Sequence, residues 1–148
     1  MRWEQFTEKA RAVLAEATDL ASKAQNPEVS PEHLTLALIN QEGGVVPAIL
    51  EHLQMDLLPI TNRLEVAISR LPKAQQIAEP TLSRQLLQVL EASLGQARFF
   101  KDDFVSTEHM LAGLLEAKGG GAKGFFQGKA GSLARRLEAL ERLSLALL

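Results

Sequence analysis

Two Glu-His pairs, Glu32-His33 and Glu108-His109, carry the side chains best suited to metal binding or acid–base chemistry. A carboxylate beside an imidazole can ligate a divalent cation or relay a proton. The spacing argues against both. Neighbouring residues on a helix point about 100° apart and do not converge on one ion, whereas a helical zinc motif sets its histidines four apart. A Glu at the second helical position instead meets the positive end of the helix dipole, and a His at the third lies within the capping turn. The glutamates are then the members of each pair left able to contact a ligand. His52 stands alone.

A glycine run offers a second chemistry, phosphate binding. A Walker A loop needs G-x-x-x-x-G-K-[ST] between a strand and a helix. Four residues separate Gly119 from Gly124, but Phe125 follows where Lys is needed. Gly128-Lys129 is followed by Ala130, with Lys123 where the earlier Gly should stand. The run reads as an inter-helix turn. There is no G-x-S-x-G and no cysteine, so neither a nucleophile elbow nor a thiolate is available. The chain is expected not to be an enzyme by itself, and to hold no cofactor and no metal.

What must position these residues is a duplicated helical unit. Val29–Leu34 reads VSPEHL and Val105–Met110 reads VSTEHM, 76 positions later. Over residues 6–39 and 82–115 the same shift gives eight identities in 34 positions, among them Val13/Val89, Leu14/Leu90, Ala21/Ala97 and Leu38/Leu114. Gly43/Gly119, Gly44/Gly120, Leu57/Leu133, Leu64/Leu140 and Glu65/Glu141 keep the register. Self-similarity without a gap marks a repeated structural unit.

Each copy reads as four helices, so the expected fold is all-α: two tandem pseudo-symmetric four-helix repeats, about eight helices, packed as one domain. In the first copy, Phe6, Ala10, Val13, Leu14, Ala17 and Ala21 recur at the three/four spacing of a helical face over about Thr7–Gln25. Asn26-Pro27 ends that helix. Ser30 as N-cap and Pro31 at the first position open a second helix, which closes near Gly43-Gly44. A third covers about Val45–Leu53. Asp56 caps a fourth, with Leu57, Ile60, Leu64, Ile68 and Leu71 on one stripe. The first repeat is residues 1–71, the linker 72–81 and the second repeat 82–148. The second copy's helices are predicted over about Ser83–Phe99, Ser106–Lys118, Ala122–Lys129 and Ser132–Leu143. The third of these is opposed by its glycines, each costing about 1 kcal/mol in a helix interior. Most of Phe99, Phe100, Phe104, Phe125 and Phe126 are expected in the core, with one or two lining a groove where the copies meet.

Composition bounds the rest. Hydrophobic residues make up 46% and charged residues 23%, ordinary for a globular chain. A net charge of −2 argues against a non-specific nucleic-acid partner. No stretch approaches the ~18 apolar residues of a membrane span, and MRWEQFTEKAR lacks the apolar region of a signal peptide. A cytoplasmic domain that binds neither nucleic acid nor membrane is expected. No heptad seam demands a partner, so the isolated domain should be a monomer.

Four blocks in order, FTEKARAVLAEATDLA, VSPEHLTLALINQEGG, ISRLPKAQQ and DDFVSTEHMLAGLL, resemble the Clp N-terminal repeat that precedes the ATPase modules of Hsp100/Clp AAA+ unfoldases. The NQEGG turn and the RLP before a polar linker are most similar to the ClpB disaggregase branch, with the ClpC and ClpA branch as the alternative. The Gly119–Gly131 segment is richer in glycine than the family pattern. The closing SLALL lacks the charged linker that precedes the first ATPase module. The resemblance implies a domain that engages unfolded or aggregated polypeptides, or adaptor proteins, for a homohexameric translocase whose ATP and Mg are bound by other modules. It implies polar substrate contacts at Thr7, Asp102 and Glu108, and an apolar groove involving Val13, Leu14, Leu90 and Phe104. In the ClpC branch, pairs such as Thr7 with Glu32 and Ser83 with Glu108 would hold phosphorylated arginine.

An independent physical reading reaches the same four polar residues. Thr7 and Ser83 each cap a first helix, and Glu32 and Glu108 stand at the start of the second helices. Free N–H groups there can take a carbonyl or an anion, and an adjacent Glu can take a basic side chain. As plain caps, the hydroxyl residues would instead contribute only about 1 kcal/mol each to stability.

Overall fold

The computed structural model describes residues 1–75 and 78–117. The segments Ala122–Lys129 and Ser132–Leu143, the glycine run and Phe125-Phe126 lie outside the described residues.

Within them, six helices follow a short 3-10 turn at Trp3–Gln5. The first repeat supplies α1 (Glu8–Lys23), α2 (Pro31–Asn40), α3 (Val45–His52) and α4 (Leu57–Ser69), and the second α5 (Arg84–Phe99) and α6 (Thr107–Glu116). Thr7 Oγ1 accepts from Ala10 N–H at 3.1 Å to open α1, and Ser83 Oγ accepts from Leu86 N–H at 3.1 Å to open α5. Both satisfy an amide that has no partner inside its helix. Each helix ends the same way. Gln25 and Lys101 take left-handed φ of 60° and 59°. Asn26 N–H then reaches Ala21 C=O, and Asp102 N–H reaches Ala97 C=O, both at 2.9 Å. This is the Schellman closure, made without glycine.

α2 differs from its neighbours in having almost no wet face: Pro31 and the run His33–Ile39 are all buried. A helix apolar on every side belongs in the centre of a fold. α6 matches it, with Met110, Leu111, Gly113, Leu114 and Leu115 buried. α1, α3, α4, α5 and α6 surround α2, and one contiguous core runs through both repeats. α5 and α6 approach so closely that a Cβ on Gly113 would collide with Ser93 Oγ and come within 2.7 Å of Val89 C=O.

Two features depart from the sequence expectation. α2 stops at Asn40, before Gly43-Gly44. A parallel pair, β1 (Glu28–Val29) with β2 (Thr81–Leu82), adds two-residue strands to the all-α plan. Val29 pairs with Leu82, and an isolated parallel bridge joins Phe6 to Val105. Shifted by the repeat offset, each of these pairs becomes the other. The halves therefore cross over: the residue before each first helix pairs with the residue before the other half's second helix. Ser83 N–H donates to Val29 C=O and Thr7 N–H to Val105 C=O, both at 3.0 Å.

Candidate functional site at the seam

The crossover brings the starts of first and second helices from opposite halves together. In the first such turn, Ser30 N–H donates to His33 Nδ1 at 2.9 Å, so the proton sits on Nε2, which lies 2.9 Å from Asn26 Oδ1. Asn26 Nδ2 donates in turn to Pro72 C=O at 3.0 Å. A buried relay thus ties the linker to the second helix. With no room for hydration, burial holds His33 neutral and lowers its pKa to about 4. In the matching turn, Ser106 N–H donates to His109 Nδ1 at 2.9 Å, and His109 Nε2 lies 2.8 Å from Asp102 Oδ2. A carboxylate stands where the first half has an amide. Glu108 accepts from Ser106 Oγ at 2.6 Å and Thr107 Oγ1 at 3.0 Å.

The histidines therefore work as capping groups that reach back to their own N-cap amide, a part usually taken by Glu or Gln at that position. Among the described residues no group of three or more His, Cys, Asp or Glu could hold a metal ion.

The structure places the predicted residues unequally. Glu32 and Ser83 line one cleft of about 250 Å³, together with Asn26, Glu28, Pro72 and Gln85. Thr7 lies against Val105, one residue before the Ser106–Glu108 turn. The pairing thus joins Glu32 with Ser83 across the halves, in place of the expected Thr7–Glu32 and Ser83–Glu108. The crossed bridges are the cause. Val13 and Leu90 are 1% and 0% exposed. They are core residues beneath the surface, out of reach of a docked chain. Leu14 is half-buried and borders a groove of about 260 Å³ with Trp3, Arg11, Thr18 and Leu82. Phe104 is 54% exposed and Phe99 64%, against the expectation that most of these phenylalanines are core. Phe99 closes α5 and Phe104 lies in the connection to α6, and Phe99 stacks edge-on against Phe100 at 5.0 Å.

Sequence reasoning missed Asn26, Trp3 and Leu82. Asn26 differs in identity from its mate Asp102, so a search for matching letters passes over it, although both stand seven residues before the histidine they hold. Leu82 had a signal: it is the mate of Phe6.

Residues 5–129 match the Clp repeat (R) N-terminal domain family. The chain is 36% identical over 113 residues to the chaperone protein ClpB of Rhodopirellula baltica, covering 76% of this chain and 13% of that protein. The matched segment thus spans only about 13% of the length of the curated relatives. The fold is similar to the Hsp104 N-terminal domain of Candida albicans, with TM-score 0.75 and 22% identity over 93% of this chain and 91% of that one. It is also similar to a ClpV N-domain solved in complex with a VipB peptide, with TM-score 0.66 and 17% identity over 84% and 79% of the two chains. With the family match, the ClpB relatives and the shared fold in agreement, this chain belongs to the Clp N-terminal domain family, as a ClpB-like domain of the Hsp100 chaperones.

Proposed function

We propose that this domain engages exposed segments of unfolded or aggregated polypeptides and delivers them to the ATPase pore of a ClpB-like, homohexameric cytoplasmic disaggregase. The observation that carries the reading is the pairing of ClpB relatives with a surface that leaves Trp3, Leu87, Phe99 and Phe104 exposed. Scattered apolar contact flanked by a few polar groups holds extended chains weakly and with little sequence preference, as a surface serving many clients requires. ATP and Mg chemistry would belong to other modules.

The alternative reading, docking of adaptors or phosphoarginine as in a ClpC-like unfoldase, is favoured by one feature, the Glu32–Ser83 cleft at the start of α2. A similar N-domain, that of ClpV, has been solved with a peptide, in line with protein partners in general.

Amide NMR with a permanently unfolded model client tests the proposal. Shifts should gather at Leu14, Phe104 and Glu108, and Thr7→Ala with Glu108→Ala should weaken them while the fold persists. Shifts confined to the termini reject it. Saturable binding of free phosphoarginine that abolishes client binding would favour the alternative.

A further inference from the structure

The two grooves beside the N-terminal turn are bordered by three arginines. The first runs along α1, bordered by Arg11, Leu14 and Thr18 with Trp3 and Leu82. The second, about 700 Å³ and more open, runs along α5, bordered by Leu87, Glu91, Leu94 and Arg98 with Met1, Arg2 and Gln5. The repeat offset maps Arg11 onto Leu87 and Thr18 onto Leu94, so the same face of the first helix is left open in each half. Residues of the Trp3–Gln5 turn and the segment before it wall both grooves. Trp3 is held there by Phe6, its ring 5.4 Å from a side chain that is itself only 1% exposed.

Arg2, Arg11 and Arg98 are exposed, and among the described residues none forms an ion pair. Among the described residues that line the two grooves, Glu91 is the one carboxylate. Three arginines against Glu91, and against Glu4 in the Trp3–Gln5 turn, leave this face net positive on a chain whose total is −2. The apolar floor along α1, with Leu87 and Leu94 in the more polar groove along α5, suits the apolar stripe of a helix laid against this face. A rim of unpaired guanidiniums suits carboxylates and repels ammonium groups.

We infer that the occupant of this face is an acidic amphipathic segment, its apolar side on Trp3, Leu14, Leu82, Leu87 and Leu94 and its carboxylates on Arg2, Arg11 and Arg98. This deepens the proposed engagement of polypeptide clients and rests on it: clients rich in Glu and Asp beside apolar residues bind here in preference to basic ones.

The test uses the whole chain and two synthetic peptides of about four helical turns with one leucine pattern, their polar positions all Glu in one and all Lys in the other. Trp3 is the only tryptophan, so its emission reports on this face alone. The Glu peptide should shift that emission and bind at least about fivefold tighter than the Lys peptide, with the gap closing at about 0.5 M salt. Arg2→Glu, Arg11→Glu and Arg98→Glu together should reverse the preference. The milder Arg→Gln set should abolish it, and circular dichroism confirms folding in each case. Equal binding of the two peptides, preference for the Lys peptide, or Glu-peptide binding that leaves Trp3 and the α1 and α5 amides unmoved overturns the inference. An unfolded client assayed in parallel separates the two claims. If it binds while the peptides do not differ, only the charge preference falls. If it does not bind while the Glu peptide does, the client reading falls and the acidic-segment site stands.

Discussion

Asn26 and Asp102 occupy the same place in the two repeats, and each holds the Nε2 of the histidine that caps the following helix, at 2.9 and 2.8 Å. The partners differ in what they do next. The amide of Asn26 has a second group to offer and donates to Pro72 C=O. A carboxylate cannot donate there. Asn26 is 2% exposed, whereas the Asp102 side chain keeps 26% of its surface. The two halves thus share a geometry and divide its chemistry, one turn neutral and sealed, the other acidic and wet.

Asn26→Asp should therefore be costly at neutral pH. It deletes the donor to Pro72, buries a charge against a carbonyl, and is expected to destabilise by about 2 kcal/mol. It should also raise the His33 pKa, since a carboxylate at Nε2 favours imidazolium. Urea unfolding and the His33 ring shifts in an NMR titration check both effects. Asp102→Asn, at the wetter site, should cost markedly less.

Stability should fall as pH drops from about 6.5 toward 4. The folded His33 pKa, about 4, lies below its ordinary value of 6.5, so the unfolded chain takes up the proton first. The contribution is fully present above the unfolded value and is lost as pH falls toward the folded one, by up to a few kcal/mol. His33→Gln, which can still reach the Ser30 amide, should flatten this part of the pH profile relative to the wild type. An unchanged slope in denaturant titrations at pH 7, 6, 5 and 4.5 would contradict the assignment.

Gly113→Ala should destabilise by about 2–3 kcal/mol, because the added methyl meets Ser93 Oγ and the Val89 carbonyl. Adding Ser93→Ala should recover part of the loss. The recovery stays partial because the Val89 backbone cannot give way, and a double-mutant cycle measures the coupling.

Surface and floor should separate cleanly. Leu90→Ala removes a fully buried side chain and should cost about 2–5 kcal/mol. Phe104→Ala should change stability by less than about 0.5 kcal/mol and yet weaken client binding severalfold. Thermal unfolding with a parallel client-binding assay distinguishes the two. Equal stability losses would show that Phe104 belongs to the core after all.

Ser83→Ala and Thr7→Ala each delete one helix cap and should cost about 1 kcal/mol. If Ser83 serves the cleft as well as the helix, Ser83→Gly, which loses only a few tenths as a cap, should still disturb ligand shifts at Glu32. Chemical denaturation with NMR of the Glu32 amide checks both.

The sequence alone determined what depends on local periodicity. Apolar spacing, Ser-Pro and Asp starts, and a gap-free self-match located the described helices to within a few residues and marked the duplication, because caps and amphipathic stripes are written in neighbouring residues. It also put Thr7, Ser83, Glu32 and Glu108 at helix starts. Which helix start faces which was decided only in three dimensions. Phe6 pairs with Val105 and Val29 with Leu82 through backbone groups that every residue carries, so no side-chain pattern announces the crossover that joins Glu32 to Ser83. Burial was settled the same way. Val13 and Leu14 are adjacent apolar residues on one helix, yet Val13 is sealed and Leu14 borders a groove. Their difference comes from the neighbouring elements that cover one side of α1, and those arrive from distant parts of the chain.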